Sequence, residues 1–355
     1  MKVLFAAGGT GGHIYPAIAV AKEILLRDST SEIKFVGTSR GLETKLVPQN
    51  GFELLTIESA GLKSIGIFGQ LKGLLILPKS FLQARKLLKE FKPDVVVGAG
   101  GYVTGPVLLM ASLLKIPTLV MDSNALPGFT NRQLARFVDK AALTFEESLK
   151  FFPNKGVVTG NPVRKEFFEV QSKQREAKTN LLIFGGSQGA RAINLAMVDA
   201  LKHLPKEKVN IVHQTGELDF EKIEKGYKEA NWQADVRRYI TDMVAEFAKA
   251  DLVICRAGAT TCAELAAAGK VGIMVPLPTA ADDHQRKNAE ALQNAGAAKM
   301  ILQKDLTGES LAKEIEGLIN SPEKITEMEL AAKKLAKADA AELAVNIIEK
   351  LVVSR

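Results

Sequence analysis

A histidine closes a glycine-rich turn near the start of the chain, where Gly8-Gly9-Thr10-Gly11-Gly12-His13 follows an apolar run and leads to Pro16. Glycines in such a turn let backbone N–H groups approach phosphate or sugar oxygens, and a helix starting there adds the attraction of its N-terminal dipole for negative charge. A neutral imidazole at the end of the turn can take a proton from an incoming hydroxyl near neutral pH. The turn recurs: Ala7 to Gly12 aligns with Phe184-Gly185-Gly186-Ser187-Gln188-Gly189, the glycine pair, the hydroxyl residue and the last glycine in register. The second copy carries Ala190 where the first carries His13. A residue needed only to close the turn could be small in both copies, so the asymmetry favours a chemical role for His13 as general base.

Other turns have the same character. Gly98-Ala-Gly-Gly-Tyr-Val-Thr-Gly-Pro106 follows a strand and is placed to hold a second substrate's phosphates. Cys255-Arg-Ala-Gly-Ala-Thr-Thr-Cys-Ala-Glu264 combines a strand end, a glycine turn, hydroxyls and a helix start, and Glu264 there can accept hydrogen bonds from paired ribose hydroxyls. The Gly8 turn lacks the G-x-G-x-x-G spacing of dinucleotide binders, which disfavours a nicotinamide cofactor, and no turn ends in Gly-Lys-Ser/Thr, which excludes a P-loop ATPase. Asp282-Asp283-His284 has acids and an imidazole in a row, but adjacent loop acids project differently and no further ligand cluster follows, so neither a metal site nor any cofactor is expected.

The elements that must position these residues are short β-rich runs alternating with helical patterns. Val3–Ala7, Ile33–Val36, Val95–Val97, Thr118–Met121 and Ala141–Phe145 make a parallel α/β sheet in the first half. Leu181–Phe184, Val209–Gln214, Leu252–Ile254 and Val271–Val275 make a second one. The sequence predicts two Rossmann-like domains facing across a cleft, residues 1–162 and 163–336, with the boundary near Pro162 and a single amphipathic helix from Ile325 to Val353 at the end. A chain of 355 residues exceeds the size at which single cores usually stop growing, which agrees with two domains.

Lys and Arg outnumber Asp and Glu by seven, which favours an anionic partner. Aromatic residues are only 6% and no aromatic-basic stacking motif appears, so nucleic acid is not the expected partner. The stretch Gly61 to Phe81 intersperses Lys63, Lys72 and Lys79 among leucines, isoleucines and Phe68 without an acid, the pattern of a segment resting on an anionic membrane surface. Cys255 and Cys262 read as ordinary buried thiols of a reducing compartment. Met1-Lys2 runs straight into a strand without signal-peptide character, and no segment is apolar enough to span a bilayer, so the expected place is the cytoplasmic side of the membrane, held peripherally.

Six signatures in order carry a resemblance over essentially the whole chain: G-G-T-G-G-H-x-x-P at Gly8–Pro16, G-x-G-G-Y-x-[ST]-G-P at Gly98–Pro106, N-x-x-P-G-x-x-N at Asn124–Asn131, G-N-P-V-R at Gly160–Arg164, G-G-S-Q-G-A at Gly185–Ala190 and C-R-x-G-A-x-T-x-x-E at Cys255–Glu264. The chain resembles the family of UDP-N-acetylglucosamine:N-acetylmuramyl-(pentapeptide) pyrophosphoryl-undecaprenol N-acetylglucosamine transferases. The resemblance implies a GT-B fold in which the C-terminal helix, about residues 337–355, returns to the first domain. It implies an inverting, metal-independent transfer from UDP-N-acetylglucosamine (UDP-GlcNAc) to the lipid-linked acceptor lipid I at the inner face of the cytoplasmic membrane. The first domain would face acceptor and membrane, and the second would bind UDP-GlcNAc. By the same analogy the donor touches Thr10, Gly11, Gly12, Asn124, Arg164, Ser187, the Ile240 backbone beside the uracil, Ala259, Thr260, Thr261, Glu264 and Gln285, His13 is the general base, and the loop with Gly100, Gly101, Tyr102 and Thr104 serves the acceptor. Two departures stand out: Met121-Asp122-Ser123-Asn124 where the family commonly has His-Glu-Gln-Asn, and Thr279 where a His is frequent.

Overall fold

The computed structural model describes residues 1–59, 67–171 and 177–354, with side chains described throughout except at 67–75 and 281. The chain divides into two compact units, residues 1–164 with 337–355 and residues 165–336. Residues 61–66 of the basic, apolar stretch lie outside the described residues, as do 172–176 near the boundary.

The first unit runs β1 (Lys2–Ala7), α1 (Gly11–Arg27), β2 (Glu32–Gly37), α2 (Glu43–Gln49), β3 (Glu53–Thr56), α3 (Ile67–Phe91), β4 (Val95–Gly100), α4 (Thr104–Leu113), β5 (Thr118–Asp122), α5 (Phe129–Leu134), β6 (Lys140–Leu143) and β7 (Gly156–Val158). Its sheet has the order β3-β2-β1-β4-β5-β6-β7, parallel throughout. A parallel sheet covered on both faces needs unbroken apolar strands, and the run Val-Leu-Phe-Ala-Ala of β1 supplies one. Strand alternation sends Val3, Phe5 and Ala7 into a cluster with Ile14, Ala17, Val20 and Ile24 of α1, while Leu4 and Ala6 pack with Leu88 of α3 and Val107 and Leu108 of α4. Phe5 stacks on Phe35 of β2 with ring centroids 5.1 Å apart.

The second unit runs β8 (Thr179–Phe184), α6 (Arg191–Ala200), β9 (Val209–Gln214), α7 (Phe220–Glu229), β10 (Asp235–Arg237), α8 (Met243–Lys249), β11 (Leu252–Cys255), α9 (Ala259–Ala268), β12 (Val271–Met274), α10 (His284–Asn294), β13 (Ala298–Met300), α11 (Gly308–Ile319) and α12 (Pro322–Leu335). Its parallel sheet has the order β10-β9-β8-β11-β12-β13. Leu181 and Ile183 of β8 share a core with Ile193 and Met197 of α6 and Leu311 and Ile315 of α11. Cys255 and Cys262 are buried and free, and burial pushes both thiols up, Cys262 to about 12.

A single helix over Ile325–Val353 is not what forms. Ala336 is extended at φ −67 and ψ 138, and the chain restarts as α13 (Ala340–Val353). The break has a tertiary cause. Ile325, Met328 and Ala332 of α12 are buried on the second unit, whereas Ala344, Val345 and Ile348 of α13 join the α1 core of the first. Arg27 fixes that return, donating to Asn346 at 2.7 Å and to Glu349 at 3.1 Å. Two doubly wound units with a terminal helix returned to the first constitute the GT-B class of fold.

In each sheet the strand order reverses once, between β1 and β4 and between β8 and β11. Open α/β sheets bind ligands at the carboxyl ends of strands flanking such a reversal. The turns after these four strands are Gly8–Thr10, Gly101–Val103, Gly185–Ala190 and Arg256–Gly258.

Candidate functional site

In the first unit, β1 ends at Ala7 in register with Gly100 of β4, so the two glycine turns leave the sheet side by side. Gly8 N donates to the Gly100 carbonyl at 3.3 Å. Gly100 has φ +112, and a Cβ there would lie 2.5 Å from the His13 ring; Gly101 has φ +87, and a Cβ there would lie 2.4 Å from the Gly8 carbonyl oxygen. Only glycine combines that backbone with that approach. Thr10 precedes α1 in an extended conformation, which puts Gly11, Gly12 and His13 in the first helical turn.

His13 Nδ1 is 3.2 Å from the Gly8 carbonyl oxygen. A carbonyl only accepts, so the neutral ring carries its proton on Nδ1 and its lone pair on Nε2, the form a general base needs. Tyr102 is 57% exposed. Thr104 lies beneath the turn: its hydroxyl is fully buried, accepts from Gly100 N at 3.1 Å and donates to the Ala6 carbonyl at 3.1 Å. It braces both turns from beneath.

Asp122 ends β5, and its buried carboxylate accepts from Asn124 N at 2.9 Å, Gly128 N at 3.0 Å and Asn131 Nδ2 at 2.8 Å. The N-x-x-P-G-x-x-N signature is thus largely a cage for one carboxylate, which accounts for an acid in the departing Met121–Asn124 segment. Burial pushes the Asp122 carboxyl up, while its hydrogen bonds and the charge of His13 pull the other way. By reciprocity Asp122 favours the imidazolium that His13 becomes on taking a proton. Arg164 closes this unit's set, its guanidinium 5.9 Å from the Tyr15 ring centroid.

In the second unit, Ser187 is exposed on the turn before α6, and Ala259, Thr260 and Thr261 form the first turn of α9 after Gly258. Phe184 of β8 pairs with Cys255 of β11, which makes these turns neighbours. Helix N-termini with short hydroxyl residues suit a diphosphate. Glu264 is one turn further along α9, half-buried. Gln285 lies in the first turn of α10, and its Oε1 accepts from Leu277 N at 3.0 Å. Asp282 and Asp283 both take left-handed backbone, φ 54 and 57. Among the described residues no three His, Cys, Asp or Glu side chains converge to hold a metal.

Three supporting residues escape sequence reading. Gln214, buried at the end of β9, donates to the Gly186 carbonyl at 2.9 Å and accepts from Ile240 N at 2.7 Å. It ties the Ser187 turn to the Ile240 segment. Glu43, fully buried, accepts from Gly9 N at 2.9 Å and from Thr38 N and Oγ1 at 2.9 and 2.8 Å. Asp122 is the third. The only signals for them were a Gly37-x-x-x-Gly41-x-Glu43 spacing, a polar residue at a strand end and an acid in an atypical segment.

Residues 3–143 match the glycosyltransferase family 28 N-terminal domain, and residues 180–344 match the glycosyltransferase family 28 C-terminal domain. A UDP-N-acetylglucosamine--N-acetylmuramyl-(pentapeptide) pyrophosphoryl-undecaprenol N-acetylglucosamine transferase of Anaeromyxobacter sp. (strain Fw109-5) is 47% identical over 360 residues, covering 100% of this chain and 94% of the relative. The enzyme of the same name from Myxococcus xanthus (strain DK1622) is 46% identical over 358 residues, covering 99% and 94%. The crystal structure of Acinetobacter baumannii MurG is similar with a TM-score of 0.81 at 36% identity, covering 98% of this chain and 99% of that one. A UDP-GlcNAc 2-epimerase from Neisseria meningitidis, at TM-score 0.70 and 17% identity, covers 99% of this chain and 100% of its own and shares the fold alone. With both domains of the family matched in order and relatives similar end to end, the chain belongs to glycosyltransferase family 28.

Proposed function

We propose that this enzyme transfers N-acetylglucosamine from UDP-GlcNAc to the 4-hydroxyl of undecaprenyl-diphosphate-N-acetylmuramyl-pentapeptide (lipid I), inverting the anomeric carbon. The observation that carries the reading is the Nδ1 contact of His13 with the Gly8 carbonyl, which leaves Nε2 as the proton-accepting nitrogen. Nε2 takes the acceptor hydroxyl proton, the oxygen bonds to the anomeric carbon, and the bond from that carbon to the UDP oxygen breaks with its electron pair leaving on UDP. The amides of the Ser187 turn and the Arg164 charge stabilise the departing diphosphate. Ala259, Thr260 and Thr261 complete the diphosphate contacts, Glu264 takes the ribose, the Ile240 backbone the uracil and Gln285 the sugar. Thr10, Gly11, Gly12 and Asn124 also touch the donor, and the turn with Gly100, Gly101, Tyr102 and Thr104 serves the acceptor.

A lipid-linked acceptor places the reaction at the cytoplasmic face of the membrane, with the enzyme held peripherally on anionic lipid. Among the described residues no helix is long and apolar enough to cross a membrane. Leu113 and Phe137, 66% and 44% exposed, are joined by the Ser112 hydroxyl donating to the Phe137 carbonyl, and Arg136 lies over the Phe137 ring. Lys150 and Arg132 lie over Phe151 nearby. Apolar groups beside cations suit a headgroup layer.

The test is transfer of radiolabelled N-acetylglucosamine to a lipid I analogue with EDTA present, for wild type and His13→Ala. EDTA-resistant transfer that collapses in the variant supports enzyme and base together. An undiminished variant removes His13 from its role, and a wild type active only on another membrane lipid overturns the acceptor.

A further inference from the structure

We propose that Glu43 is a positioning residue for the transfer, a buried carboxylate acting on His13 through the single peptide group between Gly8 and Gly9. The proposal rests on the reading of His13 as base and deepens it. The N–H of that peptide donates to Glu43 Oε2 at 2.9 Å, and its C=O is 3.2 Å from His13 Nδ1. Carboxylate, peptide and imidazole therefore form one line of hydrogen bonds, carboxylate to N–H and carbonyl to Nδ1–H. A charge-assisted bond at the N–H polarises the amide and makes its carbonyl oxygen a stronger acceptor. The line thus does indirectly what a carboxylate bonded to Nδ1 does directly: it fixes the tautomer, orients the ring and stabilises the imidazolium.

The surroundings are built around this acid. Glu43 begins α2, reached from β2, and β2 is the parallel neighbour of β1, whose end carries the Gly8 turn. Its other oxygen accepts both donors of Thr38. A Cβ on Gly8, Gly37 or Gly41 would come within 2.8, 2.5 and 1.9 Å of Glu43 side-chain atoms, so three glycines clear the space it occupies. A buried carboxylate is costly unless its lone pairs are satisfied. Burial alone would push the Glu43 carboxyl up, but the hydrogen bonds from Thr38 and Gly9 outweigh it and hold the group below the usual carboxylate range. An amide in its place would turn a donor toward one of these donors, so the site selects a two-oxygen anion.

The experiment is a double-mutant cycle in the full-length enzyme, comparing wild type, Glu43→Gln, His13→Ala and the double variant by transfer kinetics over pH, with thermal unfolding alongside. Glu43→Gln is expected to lower kcat roughly tenfold or more with KM for both substrates little changed, since proton transfer by a positioned base contributes roughly 10²–10⁴-fold in all. The acid limb of its kcat profile moves to lower pH because the imidazolium loses a stabilising charge; Asp122, the other acid that acts on His13, stays in place. In the His13→Ala background the same substitution is expected to cost almost nothing. Additive losses, or an unmoved acid limb, overturn the proposal while leaving His13 as base; a fully active His13→Ala overturns the base reading instead. Should Glu43→Gln fail to fold, nitrogen chemical shifts of the histidines in wild type decide: neutral His13 protonated on Nδ1 with an exchange-protected Gly9 amide is expected, and the Nε2-protonated tautomer overturns it.

Discussion

Asn131 donates to the Asp122 carboxylate at 2.8 Å, joining the end of β5 to α5 where both side chains are almost wholly buried. Asn131→Ala leaves that oxygen with one backbone donor, from Gly128. A buried acceptor that loses a partner costs about 1–3 kcal/mol. Urea unfolding is expected to show a lowered midpoint with an unchanged m-value. Asn131→Asp sets a second acid against the first and is expected to be worse at pH 7. Like charges raise the pKa of one member in the folded state, so its deficit shrinks as pH falls. A deficit constant with pH would show that the new acid is not facing Asp122.

The pattern behind Asp122 marks what the sequence can and cannot reveal. Runs such as Val3–Ala7 and Leu181–Phe184 are apolar because parallel strands are buried on both faces, and the glycine turns after them are forced by close backbone approach; both are local demands. Glu43 and Gln214 satisfy distant backbone groups, Gly9 and Ile240, through pairings that only the assembled sheet creates, whereas Asp122 satisfies Asn124 and Gly128 within its own loop. Thr104 was legible as part of a turn but not as its brace. The residue pattern alone hides the interruption at Ala336, since Lys-Lys-Leu-Ala-Lys-Ala-Asp contains no glycine or proline and the break comes from cores in different units; only the family resemblance put a helix start near 337.

His213 is fully buried between Asn194, 3.0 Å from Nε2, and the Tyr227 hydroxyl, 2.9 Å from Nδ1, and burial pushes its pKa down to about 3. An unfolded histidine titrates near about 6.5. Between these values the unfolded chain binds a proton that the folded one refuses, so the stability involved is present above about pH 6.5 and is lost as pH falls toward 3. The limiting slope is about 1.4 kcal/mol per pH unit. Wild type and His213→Gln, unfolded in urea from pH 7 to pH 4, are expected to converge with falling pH; parallel curves would remove the burial cause.

Gln214→Leu keeps the volume and removes both polar contacts, to Gly186 and to Ile240 N. If these segments hold the donor nucleotide, the KM for UDP-GlcNAc is expected to rise roughly tenfold, about 1.4 kcal/mol of binding. The KM for the lipid acceptor is expected to stay put. Calorimetric titration with UDP alone checks the same loss without turnover. An equal rise in both KM values would instead mean a general loosening.

Gly101 and Gly51 have nearly the same left-handed backbone, φ +87 and +83, yet a Cβ on Gly101 would lie 2.4 Å from the Gly8 oxygen whereas nothing lies within 4 Å of one on Gly51. Alanine in this region costs roughly 1–2 kcal/mol at either position. The two substitutions therefore share a strain term and differ in a collision. Gly51→Ala is expected to lower the unfolding midpoint and leave kcat alone. Gly101→Ala must also push the Gly8 carbonyl away, and that carbonyl holds His13 Nδ1. Its kcat is expected to fall at least tenfold, because small misplacements of a reacting group cost up to about 10² in rate. Should Gly101→Ala lose stability like Gly51→Ala yet turn over at the wild-type rate, the position of the Gly8 carbonyl does not govern His13.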